Sequence, residues 1–311
     1  MEIKSINTKD GLPVTYYVFG EGRRVILVVN APGMSIKFWV PIINLLKDSY
    51  RVIGVEYRGF PSLGRELSAG EYQYQNIVDD FEQVINEEGV EEYCMMGWCL
   101  GTKVMLSLYE RMPGRVWSVI ALNLAYKKHD TGNRSEFSKL VFQIKQRLKD
   151  NPASINRMIR IMDQVGVIPT VDFLSMIGEE EDDSPSLNLY DYLEGESSLS
   201  SLAFYLISTE TGLINYLNIY EQFSQQGTEQ ILKSVDCPFI ILDGEKDHII
   251  RHKEEDLLLF GSNSNIQLVT VNEGSHFMLI EFPKRVGRMI RENLDRVASA
   301  NKEHPVTTTG S

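Results

Sequence analysis

One cysteine lies in a setting that favours nucleophilic chemistry. Cys99 is the centre of Gly97-Trp98-Cys99-Leu100-Gly101, between an apolar run and a helix-like stretch. In a strand, sharp turn and helix of this kind, the glycines permit the turn and close packing, and the central residue is exposed in a strained conformation. A helix N-terminus also favours a thiolate. The pattern predicts a nucleophile, although a buried cysteine that acts as a small apolar residue would give the same sequence pattern.

Two later residues can complete a proton-transfer set with this thiol. Asp247 follows the apolar run 238–242, and His276 follows the run 266–271. A histidine can take the thiol proton, and a carboxylate beside it fixes the tautomer and stabilises the imidazolium. Cys99, His276 and Asp247 are therefore the predicted catalytic residues.

The elements that must position these residues alternate between strands and helices. Strands separated by helices require right-handed crossovers, so the sequence predicts an α/β fold with a mostly parallel central sheet flanked by helices. The predicted strands are 12–20, 24–30, 51–57, 92–98, 116–124, 238–242 and 266–271, and the predicted helices are 38–47, 74–88, 100–112, 254–260 and 283–297.

The alternation stops near Tyr126 and resumes roughly 110 residues later. Residues 1–125 and 237–298 are predicted to form the core, and 126–236 a helical cap or lid inserted after the sixth strand. The polar end of the chain, 299–311, is predicted to be disordered.

Composition narrows the function classes. The chain has 311 residues, 43% of them hydrophobic, and a net charge of -12, which disfavours nucleic acid as a partner. Three cysteines, the lack of a signal-peptide pattern and the lack of a long apolar run predict a cytoplasmic protein with no membrane association. No glycine-rich phosphate loop or zinc-type Cys/His spacing occurs, so no metal or cofactor is predicted.

The order of the motifs resembles the α/β-hydrolase superfamily across about residues 10–298. In that family the nucleophile is followed along the chain by an acid and then a histidine, and a helical cap is common. The resemblance implies that Cys99 attacks an acyl carbonyl with help from His276 and Asp247, and that the Leu100 backbone N–H is the first oxyanion donor. The fallback acid and base are Asp243 and His248, and no role is predicted for His129, His252 and His304.

The second oxyanion donor departs from the family pattern. A His-Gly pair usually precedes the donor, but here Asn-Ala occupies positions 30–31 and Pro32 follows. Proline has no N–H, so the donor must move to Gly33 or Met34, or the oxyanion hole is weaker. Loss of one such donor costs about 10²- to 10³-fold in rate. Pro32 and Trp98 are also predicted to line the substrate pocket.

Sulfur favours transfer over hydrolysis, because an S-acyl cysteine exchanges with another thiol at nearly balanced free energy. Among cysteine-bearing branches, the chain resembles thioesterase-like acyl or aminoacyl transferases of nonribosomal peptide and polyketide assembly. Dienelactone hydrolases lack a large cap, and the wider signature of polyhydroxyalkanoate synthases is not found. The resemblance implies an acyl or peptidyl carrier protein as partner and a phosphopantetheine-linked substrate.

The charge of the cap is divided. Residues 126–160 are basic, whereas the following stretch to about residue 200 has no Lys or Arg and is acidic. A basic helix would steer an acidic carrier protein, so Lys145, Arg147 and Lys149 are the predicted docking residues. Charge runs of this kind are also common on solvated helix faces.

Three functions remain open at this point. The first is acyl transfer between thioesters through S-acyl-Cys99, and the second is hydrolysis of a thioester or small ester by the same residues. The third is a non-catalytic binding protein, which the proline and the atypical nucleophile permit. The sequence also leaves open that the cysteine replaces a serine, and it determines neither the acyl group nor the oligomeric state.

Overall fold

A central sheet of eight strands forms the core of the computed structural model, which describes residues 1–60, 63–128, 135–165 and 209–303. The strands are β1 (Glu2–Asn7), β2 (Pro13–Phe19), β3 (Arg24–Val29), β4 (Tyr50–Val55), β5 (Tyr93–Trp98), β6 (Val116–Leu122), β7 (Phe239–Gly244) and β8 (Ile266–Val271). Their spatial order is β1-β2-β4-β3-β5-β6-β7-β8. Only β2 runs against its neighbours, β1 and β4, and the other pairings are parallel. The predicted mostly parallel sheet is confirmed.

Helices cover the sheet. Every residue of β5 is buried, as expected for a parallel strand that is covered on both faces. The helices are α1 (Val40–Leu46), α2 (Tyr74–Glu87), α3 (Gly101–Arg111), α4 (Glu136–Asp150), α5 (Ile155–Val165), α6 (Glu210–Ser224), α7 (Glu229–Ser234), α8 (Glu254–Gly261), α9 (Met278–Glu281) and α10 (Pro283–Glu303). One contacting group contains α1, α9 and α10, and another contains α2, α3, α7 and α8. Within the described ranges, no helix has the length and apolar character needed to cross a bilayer.

The segment between β6 and β7 is helical wherever it is described. It contributes α4, α5, α6 and α7, and α6 packs on both α4 and α5. Asn215 of α6 also reaches the core, because its side-chain oxygen accepts the backbone N–H of Leu67 at 2.7 Å. The cap is therefore attached to the core by a buried polar contact far from its own chain ends.

Three features differ from the sequence prediction or extend it. Strand β1 was not predicted, because it forms the sheet edge and only Ile6 among its residues is buried. The short helix α9, directly after His276, was also not predicted. The closing helix α10 extends to Glu303, five residues into the segment predicted as a disordered tail. His129, Arg134, the acidic stretch from 166 onward and His304 lie outside the described residues.

Candidate active site

Cys99 lies at the apex of a strained turn between β5 and α3. Its φ is +51°, a left-handed conformation that is costly for a residue other than glycine. A Cβ on Gly101 would lie 2.2 Å from the carbonyl oxygen of Asn30, so only glycine allows α3 to begin this close to the end of β3. The Oγ1 of Thr102 lies 2.6 Å from the Cys99 carbonyl oxygen and accepts the Ala125 N–H at 3.0 Å. These contacts hold the cysteine in the geometry of a nucleophile elbow.

Asp247 is surrounded by hydrogen-bond donors. One carboxylate oxygen accepts the backbone N–H groups of Ile249 and Ile250, at 2.7 and 3.0 Å. The other lies 2.6 Å from the side-chain nitrogen of Asn123 and 2.8 Å from Nδ1 of His276. Burial opposes the charge, but His276 and the backbone donors hold the pKa of Asp247 below its ordinary value. The carboxylate is therefore kept ionised and fixed in orientation.

His276 is buried between this carboxylate and Cys99. Since Asp247 occupies Nδ1, the other ring nitrogen, Nε2, is the one that can bond to the sulfur of Cys99. Burial alone lowers the pKa of His276, but the negative charge of Cys99 and the hydrogen bonds to Asp247 and Cys99 raise it to about 10. The structure thus brings the three predicted residues together, in an arrangement that suits a thiolate–imidazolium pair.

Trp98 has two functions in this arrangement. Its indole nitrogen donates to the backbone carbonyl of His276 at 3.0 Å, and its ring stacks on Phe38 with centroids 5.5 Å apart. It also lines the cavity beside Cys99, as does Pro32. Trp98 therefore lies in the cavity wall and also holds the loop that carries His276.

The loop expected to complete the oxyanion hole is a tight turn. The Met34 N–H donates to the Ala31 carbonyl at 3.2 Å, and Gly33 has a φ of +79°, as in a type II turn with proline at its second position. Of the two predicted substitute donors, Met34 therefore already donates its N–H within the turn. Within the described residues, the N–H groups of Gly33 and Leu100 have no acceptor.

A cavity of about 340 Å³ opens beside Cys99. On the core side it is lined by Cys99, Leu100 and His276, and on the cap side by Phe137 and Tyr220. The cavity therefore lies between core and cap, with aromatic side chains in its cap-side wall.

His252, for which the sequence predicts no role, lies in the cavity wall. Its side chain is largely buried in the cavity wall, with Nε2 3.0 Å from a carboxylate oxygen of Asp243. Asp243, the fallback acid, therefore faces His252, whereas Asp247 faces His276. The fallback base, His248, is exposed and contacts Arg251 instead of the nucleophile. Nothing in its position in the sequence marked His252, because its burial depends on packing against Tyr126 and Phe260.

Lys103 is a buried charge that sequence reasoning missed. Its ammonium donates to the carbonyls of Lys127, Phe223 and Gln226, at 2.7, 2.9 and 2.9 Å. Burial lowers the pKa of Lys103 to about 7. Because Lys103 lies one turn after Cys99, this side chain ties α3 to both ends of the cap.

The three predicted docking residues differ in their surroundings. Lys145 lies 2.6 Å from a carboxylate oxygen of Glu221 and 2.9 Å from the side-chain oxygen of Asn218, so α6 engages its ammonium. Arg147 and Lys149 are exposed in the last turn of α4, where they complement the helix dipole. None of the three lines the cavity. Lys145 therefore links α4 to α6, and the docking role of the three residues stays a prediction.

Comparisons with known proteins agree with this architecture. RutD of Caulobacter segnis, which is named as a carbamate hydrolase, is 28% identical over 119 residues, which cover 37% of this chain and 44% of RutD. The match thus spans less than half of that relative's length. A thermophilic esterase of Thermogutta terrifontis has a TM-score of 0.66 at 18% identity, over 96% of this chain and 99% of its own. A bromoperoxidase of Bacillus anthracis has a TM-score of 0.69 at 16% identity, over 94% and 100%.

The structural neighbours share the fold at identities too low to indicate a shared activity. The family model described as alpha/beta hydrolase fold matches residues 24–283, which include Cys99, Asp247 and His276. This span contains six of the eight strands as well as the cap, and the chain therefore belongs to the α/β-hydrolase fold family.

Proposed function

We propose that the protein is an acyl hydrolase that cleaves a thioester or a small ester through an S-acyl intermediate on Cys99. The observation that carries this proposal is the buried His276–Asp247 pair beside a cysteine at a strained elbow, in the wall of the same cavity. A non-catalytic binding protein has no need of a carboxylate held by four donors and aimed at a histidine. Burying an ionised carboxylate beside a histidine is unfavourable, and the arrangement is explained if the pair moves a proton.

The chemistry follows from the positions of these groups. The Cys99 sulfur attacks the acyl carbonyl, and the N–H groups of Leu100 and Gly33 are the donors available to the oxyanion. His276 then gives its Nε2 proton to the departing thiol or alcohol as the bond to the acyl carbon breaks. Water, deprotonated by the now neutral His276, attacks the thioester carbon, and Cys99 leaves as thiolate to restore the starting state.

The similar proteins support hydrolysis more than transfer. RutD is named as a carbamate hydrolase, and the Thermogutta terrifontis protein is an esterase. Neither name refers to carrier proteins or to peptide and polyketide assembly, and Lys145, one of the three expected docking residues, is engaged within the cap. Hydrolysis is therefore the first candidate.

Transfer to a thiol is the second candidate, and it rests on one specific observation. Pro32 occupies the usual place of the second oxyanion donor, and the turn around it uses the Met34 N–H. Reduced oxyanion stabilisation slows the attack of water on an S-acyl cysteine. A thiol is a much better nucleophile toward a thioester than water, so transfer to a bound thiol would suffer less from a weaker oxyanion hole.

Intact-mass spectrometry separates these functions. The protein and Cys99→Ala are exposed briefly to a panel of acyl and aminoacyl thioesters and aryl esters, and a thiol is then added. A mass increase on Cys99 that disappears in water, with free acid formed, supports the hydrolase. An adduct that persists in water and discharges to the thiol supports the transferase. The absence of both an adduct and free acid with every donor refutes both.

A further inference from the structure

The cavity beside Cys99 has one cationic side. Four lysine and arginine side chains line it, whereas Asp256 is the only carboxylate among the described lining residues. The four are Lys127, Lys128, Arg251 and Lys253. This concentration contrasts with the net charge of -12 of the whole chain. A cleft whose charge opposes that of the molecule raises the local concentration of ligands of the opposite sign, in this case anions.

The single carboxylate in this wall is already occupied. Asp256 lies 2.5 Å from the ammonium of Lys127 and also accepts the hydroxyl of Tyr126. Lys127 makes a second ion pair, with Glu255 at 2.7 Å. Lys127 and Asp256 therefore neutralise each other. The remaining charged side chains in the cavity lining are basic, and they include Lys128 and Arg251.

Arg251 is held in place without a carboxylate partner among the described residues. Its Nε donates to the backbone carbonyl of Asp247 at 3.3 Å, and its Nη2 lies 2.6 Å from Nδ1 of His248. Arginine can only donate, so Nδ1 of His248 must accept, and that ring carries its proton on Nε2. The loop that supplies the catalytic acid therefore also presents an oriented guanidinium and an imidazole N–H at the cavity.

We propose that this side of the cavity, with Arg251 as its main contact and His248 and Lys128 beside it, binds an anionic group of the substrate, a carboxylate or a phosphate. A guanidinium matches the planar or tetrahedral oxygens of these groups with two parallel N–H bonds. The proposal rests on the proposed function, since the anion belongs to the molecule that acylates Cys99. It narrows the substrate class to acyl donors that carry negative charge in the acyl chain or in the leaving group.

Three donors that differ in one group at a time test this inference. They are the butyryl thioester of pantetheine, the glutaryl thioester of the same thiol, and the butyryl thioester of phosphopantetheine. The first is neutral, the second carries a carboxylate on the acyl chain, and the third carries a phosphate on the leaving group. The ratio of kcat/KM for each anionic donor to that for the neutral donor measures the preference.

We expect Arg251→Gln to lower this preference about ten- to hundredfold for one of the two anionic donors, mainly through KM, because it removes a charge-assisted pair of hydrogen bonds. Lys128→Gln should lower it less. The control is Lys246→Gln, which removes an exposed lysine that pairs with Glu273 outside the cavity and should leave the ratio unchanged. The donor that responds identifies the source of the anion. An unchanged ratio in Arg251→Gln overturns the proposal.

Binding without turnover separates this inference from the proposed function. Cys99→Ala, alone and combined with Arg251→Gln, is titrated with glutarate and with phosphopantetheine by calorimetry. Binding of either anion that is lost with Arg251 supports the anion site even if no donor acylates Cys99. Equal binding with and without Arg251, or no binding of either anion, argues against the site even if acylation occurs.

Discussion

Asp247→Asn tests the catalytic arrangement most directly. In the wild-type structure four donors converge on the Asp247 carboxylate, two from the backbone and one each from Asn123 and His276. An amide can present only one oxygen. If that oxygen stays on the fixed backbone N–H groups, the new NH₂ faces Asn123 and His276, and it must find acceptors there.

Asn123 and His276 can each supply an acceptor for this NH₂, so the variant can keep its fold while the tautomer of His276 changes. The side-chain oxygen of Asn123 is buried without a hydrogen-bond partner among the described residues, so a flip of that amide turns an acceptor toward the new NH₂. His276 can accept only if Nδ1 loses its proton, and then Nε2 holds the proton and cannot take one from Cys99. The variant is therefore expected to fold normally with the histidine in the wrong tautomer. A loss of about 10⁴-fold in the acylation rate is expected, or about 5 kcal/mol, as in serine-protease triads altered in the same way.

The assay is the release of thiol in the first turnover from an activated thioester, together with alkylation of Cys99 by iodoacetamide. Asp243→Asn is the matched control, because it makes the same change in the fallback acid, which contacts His252. That control should stay within about tenfold of the wild type, because it leaves the tautomer of His276 unchanged. An Asp247→Asn variant with wild-type near-UV circular dichroism and nearly full activity, or a larger loss in Asp243→Asn, would refute the assignment.

Three further predictions follow from the same structure. Pro32→Ala restores an N–H at the usual donor position and should raise turnover of an oxygen ester roughly tenfold or more; an unchanged rate would mean that Gly33 already completes the oxyanion hole. Because a pKa of about 10 keeps His276 protonated at neutral pH and its acid form is lost as pH rises through that value, first-turnover release of an alkyl thiol should be level from about pH 7 to about pH 9 and fall above about pH 10. An alkaline loss that begins below about pH 8 would contradict this. The pKa of Lys103 is about 7 when folded and near its ordinary value when unfolded, so the unfolded chain binds more protons between these values and the free energy of unfolding rises with pH. Between about pH 7 and about pH 9, urea denaturation should show that rise to be about 2 kcal/mol larger in the wild type than in Lys103→Met, and equal slopes would refute it.

The sequence by itself determined the features that depend on short stretches of chain. Apolar runs of strand length and helical periodicity predicted the parallel sheet, because burial on a sheet or along a helix face imposes those periods locally. Gly97 and Gly101 around Cys99 predicted the elbow, since the lack of a Cβ is a property of the residue itself. The order of nucleophile, acid and histidine along the chain predicted that Cys99, Asp247 and His276 would lie together.

Tertiary structure decided which side chains touch. Trp98 and His276 are 178 residues apart in the chain, and only pairing of the strands brings the indole to the histidine carbonyl. Lys103 draws its three acceptors from both ends of the cap, and Met34 donates its N–H within a turn that the sequence did not determine. Arg251 resembles any surface arginine until folding places it on the cavity wall. The sequence gives the chemistry of each side chain directly. Its partners and its burial depend on contacts between distant segments, and a local pattern does not show those contacts.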